Sequence, residues 1–127
     1  MPEPPSAALR GKVILIVEDE YLLASDLEQL LQHHGATVAG PVGSVLDALA
    51  LVKRENDRLD AAVLDVNLRG ERVYPVADTL IERGVPIVFT TGYDEMLVAK
   101  RYIGMPRCQK PIDKAALFRM LVQALGN

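Results

Sequence analysis

Hydrophobic and polar positions along this chain alternate between two rhythms. Lys12 to Val17 is a continuous run rich in β-branched residues that ends abruptly in Glu18, Asp19 and Glu20, the pattern of a strand buried on both faces. Leu23, Leu27, Leu30 and Leu31 then recur at helical spacing and predict a helix that stops near His34 and Gly35. The alternation repeats. Thr37 to Pro41 reads as a second strand, and Ser44 as the cap of a helix that buries Val45, Leu49 and Val52. Ala61 to Leu64 is a third strand ending on Asp65. A turn at Arg69 and Gly70 leads into a helix with Val73, Ala77, Leu80 and Ile81 inward, followed by a fourth strand from Pro86 to Thr91. Glu95 to Tyr102 offers only a weak helix without a clean apolar stripe. A short strand from Arg107 to Gln109 precedes a last helix, capped by Asp113, that buries Leu117, Met120, Leu121 and Ala124.

Five strands alternating with five helices, with no repeat and no internal linker, predict an α/β fold: a doubly wound, five-stranded parallel sheet covered on both faces. Residues 1–10 read as a flexible tail and residues 11–127 as one domain. In such folds ligands sit beyond the carboxyl ends of the strands, where the strand order reverses. The candidate reactive residues all fall there: Glu18 and Asp19 after strand one, Asp65 after strand three, Thr91 after strand four and Lys110 after strand five.

Like charges this close repel by roughly 3 kcal/mol per pair at ~5 Å and an effective dielectric of ~20, so a fold that gathers them usually supplies a cation. Glu18, Asp19 and Asp65 suit Mg²⁺, which takes a few oxygens and keeps several waters, and the backbone carbonyl of Asn67 is a natural further ligand. A carboxylate beside Mg²⁺ can attack phosphorus in line, which makes Asp65 the candidate nucleophile. The Lys110 ammonium can neutralise one phosphoryl oxygen and the Thr91 hydroxyl can donate to another.

Composition narrows the partners. A net charge of −3 with 14 scattered Lys and Arg residues argues against a nucleic-acid groove, and the absence of Trp against stacking platforms. No apolar run approaches the ~18 residues of a membrane span, and residues 1–6 lack the basic start of a signal peptide. The single Cys108 excludes an internal disulfide and fits a reducing cytoplasm. His33 and His34 invite a phosphohistidine reading, but beside Gly35 they read more simply as a polar helix terminus.

Taken in order, Glu18-Asp19, Asp65, Thr91-Gly92 and Lys110-Pro111 resemble the receiver domain of two-component response regulators. The strand order 2-1-3-4-5, that of the flavodoxin-like group, comes with this resemblance rather than from periodicity. What it implies is a stand-alone receiver whose partners are a sensor histidine kinase or phosphotransfer protein and a downstream protein. A phosphoryl group would pass from phosphohistidine to Asp65 and later be hydrolysed, with no other enzymatic activity. Thr91, Gly92, Tyr93 and Arg107 would belong to the switch and output face. The run from Pro86 to Tyr93 resembles the "PFxFATGY" motif of a stand-alone subgroup, differing at Ile87 and Thr90, and Arg107 stands where the wider family carries an aromatic. Competing expectations are a receiver-like scaffold that works without phosphate and a small-substrate aspartyl-phosphate phosphatase. The latter generally has a second Asp where this chain has Asn67.

Overall fold

The structure, a computed structural model, describes residues 9–92 and 100–126. In chain order the elements are β1 (Val13–Val17), α1 (Tyr21–His33), β2 (Thr37–Val42), α2 (Val45–Glu55), β3 (Ala61–Asp65), a hairpin of β4 (Asn67–Leu68) and β5 (Glu71–Arg72), α3 (Tyr74–Glu82), β6 (Ile87–Thr91), β7 (Arg107–Gln109) and α4 (Lys114–Ala124). The main sheet is parallel with order β2-β1-β3-β6-β7, which is the expected 2-1-3-4-5 once the small hairpin is set aside.

Strand periodicity sorts the core into two layers. Ile14, Ile16, Val63 and Val88 point to one face, where Leu27 and Leu31 of α1 meet Leu117 and Leu121 of α4. Their neighbours Leu15, Val17, Leu64 and Phe89 point to the other, under Ala48 and Val52 of α2 and Val76, Ala77 and Leu80 of α3. The central strands β3 and β6 are therefore buried at every position and β1 at all but Val13, as strands covered on both faces must be. The expected caps form: Ser44 Oγ accepts from Asp47 N–H at 3.1 Å and Asp113 Oδ1 from Ala116 N–H at 3.2 Å.

Several expectations change in detail. The chain has four α-helices among the described residues; most of the weak helix expected at Glu95 to Tyr102 lies outside them, and Lys100–Tyr102 is a single 3₁₀ turn. Leu9, assigned to the tail, is fully buried against the α1 and α4 face, so the packed domain includes it. Val73, Ala77 and Leu80 are buried as expected, but the fourth inward residue at α3 is Val76, fully buried, whereas Ile81 is 38% exposed, because Val73 sits in the capping turn and the buried face follows from there.

One glycine shapes the path to the site. Gly40 has φ +89° and leaves only 2.9 Å between a would-be Cβ and Val42 N, so no side chain fits. The irregular β1–β2 pairing at this point ends with Val42 O accepting from Glu18 N–H at 2.9 Å, which ties the first acid to the sheet.

Candidate functional site

Adjacent strands β1 and β3 end side by side, and each delivers acids into the same space. Glu18 is 4% exposed and Asp65 3%, both far below what unpaired carboxylates tolerate. Local backbone groups aim them: Glu20 N–H donates to Glu18 Oε2 at 2.9 Å and Asn67 N–H to Asp65 Oδ1 at 3.0 Å. Asp19 follows at the rim, and oxygens of Glu18, Asp19 and Asp65 lie within 4.8 Å of one another.

Lys110 comes from the far edge. Its N–H donates to Thr91 O at 2.7 Å, holding the end of β7 against β6, and its Nζ lies 2.9 Å from Asp65 Oδ2 and 3.1 Å from Glu18 Oε1. Burial works against the Lys110 ammonium, but the hydrogen bond and charge of Asp65, then those of Glu18, outweigh it and hold the group above its ordinary value. Burial pushes the Glu18 carboxyl up to about 7, with the Asp65 charge adding to the rise and the Glu20 amide and Lys110 opposing it.

The donor set consists of oxygen alone, which is the chemistry a hard divalent cation takes. Glu18 Oε1 is buried and has no hydrogen bond among the described residues, although it pairs with the Lys110 charge. A lone pair left open in this way fits a cation that completes it. Asn67 adds a backbone group. Antiparallel ladders alternate hydrogen-bonded and open pairs. Because Val73 N–H donates to Val66 O at 3.0 Å, the next pair, Asn67 and Arg72, is an open one. Asn67 therefore turns its N–H and C=O away from Arg72, and that N–H is the donor on Asp65 Oδ1. Its side chain serves the turn: Asn67 Oδ1 accepts from Gly70 N–H at 2.6 Å.

The remaining candidates divide. Thr91 is buried at the end of β6, one residue beyond the Asp65–Thr90 pair, and Gly92 and Lys110 line a groove of about 680 Å³ that runs beside α1. Tyr93 lies outside the described residues. Arg107 pairs with Phe89 in the sheet and donates to Ile103 O at 3.2 Å, so its head is engaged by its own loop. His34 stacks on Phe118 with ring centroids 4.2 Å apart, a packing role away from the acids.

Arg69 stands in the turn between β4 and β5. It is exposed, yet its Nε lies 3.5 Å from Asp19 Oδ2. The only sequence signal was the turn itself, since the pair joins residues fifty positions apart.

Residues 14–124 match the family model of the response regulator receiver domain. This chain belongs to that family. The receiver is 43% identical to SdrG from Sphingomonas melonis Fr1, known from a solution structure, with a TM-score of 0.80 over 94% of this chain and 98% of that one. It is 32% identical over 94% of its length to the phyllosphere-induced regulator PhyR of Methylorubrum extorquens, of which it covers 45%. It is 28% identical over 88% of its length to the transcriptional regulatory protein YbdJ of Bacillus subtilis, of which it covers 50%. The receiver thus spans about half the length of these curated relatives. Its likeness to SdrG and PhyR fits the FATGY-type subgroup suggested by residues 86–93. None of the described helices is long and apolar enough to cross a membrane.

Proposed function

We propose that this chain is a phosphorylatable response regulator receiver of a cytoplasmic two-component pathway. It takes a phosphoryl group from the phosphohistidine of a sensor kinase or phosphotransfer protein onto Asp65 and signals by binding a downstream protein. The observation that carries this reading is the convergence of Glu18, Asp19 and Asp65 on one space, with the Lys110 ammonium 2.9 Å from Asp65. Glu18, Asp19, Asp65 and the Asn67 carbonyl would hold Mg²⁺, which when bound offsets charge on the transferring phosphoryl oxygens.

The chain's own residues do the rest. An Asp65 carboxylate oxygen forms the new P–O bond while the P–N bond of the donor breaks and its electron pair returns to the imidazole ring. Lys110 stabilises one phosphoryl oxygen and the Thr91 hydroxyl donates to another. The acyl phosphate, with about two negative charges where the carboxylate had one, then biases the segment after β6, which is how the switch residues Thr91, Gly92, Tyr93 and Arg107 would report the event.

Incubation with Mg²⁺ and acetyl phosphate, followed by the mass of the intact protein, tests the proposal. One phosphoryl adduct is expected, lost with a chelator and lost in Asp65→Asn. No adduct on the unaltered chain, or an adduct that survives Asp65→Asn, overturns it.

A further inference from the structure

Cations are divided unevenly among the three site acids. Lys110 Nζ contacts Glu18 and Asp65, whereas the ion pair on Asp19 is made by Arg69, whose Nε lies 3.5 Å from Asp19 Oδ2. Arg69 reaches this position from the two-residue turn of the β4–β5 hairpin. That turn has φ +54° at Arg69 and +89° at Gly70, the left-handed pair such hairpins require. The Asn67 Oδ1 bond to Gly70 N–H, at 2.6 Å, braces it. A non-glycine residue at positive φ is disfavoured and persists only where its surroundings hold it.

The pivot is therefore fixed while the arm is free. The Arg69 side chain is 81% exposed, so it can leave Asp19 without uncovering any core. The geometry points to Arg69 as a tethered cation that occupies Asp19 in the ion-free receiver and must be displaced when a divalent ion takes that carboxylate. This inference rests on the magnesium reading above and adds a residue that sets its affinity. Charge accounts for the direction: three carboxylates and Lys110 leave a formal −2, which a divalent ion neutralises and a retained guanidinium would oversupply.

The test uses the whole chain without a phosphodonor. Mg²⁺ is titrated at low ionic strength into the unaltered protein and into Arg69→Asn, since Asn removes the charge yet tolerates left-handed backbone. Affinity is read from amide chemical shifts. Loss of an exposed competing ion pair is expected to tighten binding roughly two- to fivefold, and added salt should shrink the difference. In the unaltered chain the Arg69 Nε–H signal should move with the same midpoint. Asp19→Asn weakens binding, and in that background Arg69→Asn should have no further effect. Equal or weaker binding by Arg69→Asn, or the same gain with Asp19 already removed, overturns the inference while leaving the magnesium reading intact. Absence of Mg²⁺ binding to the unaltered chain sinks both.

Discussion

Lys110 reaches Asp65 from the opposite edge of the site, with its Nζ 2.9 Å from Asp65 Oδ2. Only the sheet order makes this possible, because β6 stands between the two strands and Lys110 N–H is held to Thr91 O. One ammonium thus offsets two buried acids. Replacing it by Met keeps the length and apolar stem but leaves Glu18 and Asp65 facing each other uncompensated. Lys110→Met should cost about 1–3 kcal/mol of stability near neutral pH in metal-free buffer, less than for a fully dry pair because the Lys110 head is partly solvated. Urea denaturation measures it, and an unchanged midpoint would contradict the proposed electrostatic role. The same variant should accept phosphate from acetyl phosphate at least tenfold more slowly, by loss of a charge on the transferring group.

A second network anchors the segment before β7. Tyr102 is buried against Tyr74 and Phe89, its hydroxyl donates to Asp78 Oδ1, and Arg101 both donates to that hydroxyl at 2.8 Å and pairs with Asp78 at 3.0 Å. Burial, then the Asp78 hydrogen bond, push the Tyr102 phenol up to about 12, against the pull of Arg101. The folded chain holds this proton more tightly than the unfolded one. The stability it contributes is therefore complete below about pH 10 and is lost as pH rises from there toward 12. Denaturation measured through the alkaline range should show a steeper decline for the unaltered protein than for Tyr102→Phe. Parallel curves would mean that the phenol titrates alike in both states.

Thr90 provides a test of packing. It is 1% exposed, and its Oγ1 has no hydrogen bond among the described residues. An unsatisfied buried hydroxyl costs about 1–3 kcal/mol, and Val has nearly the same shape. Thr90→Val should raise stability by about 1 kcal/mol and the melting temperature by roughly 3–5 °C. A lower melting temperature would show that the hydroxyl is satisfied in solution.

How far the sequence carried this account depends on range. Continuous apolar runs at β1, β3 and β6 and the leucine spacing of α1 report burial directly, so the elements and the strand ends bearing Glu18, Asp65, Thr91 and Lys110 were legible. The β4–β5 hairpin was not, because two-residue strands are too short to show alternation. Val76 and Ile81 both fit the helical period of α3, and only the starting point at Tyr74 decides between them. Leu9 follows only Ala7 and Ala8 after a proline-rich start, where no periodicity marks it for the core. Arg69 was invisible for another reason: its partner Asp19 is chosen by the direction of a turn, and a left-handed Arg leaves no signature in sequence.

The central claim is that Asp65 is the group that takes phosphorus. Borohydride reduces an aspartyl phosphate to homoserine, so the phosphorylated chain can be reduced and its peptides mapped. The account predicts homoserine at position 65 and nowhere else, dependent on Mg²⁺. Homoserine at another acid, or a phosphorylated chain whose label resists borohydride, would contradict it.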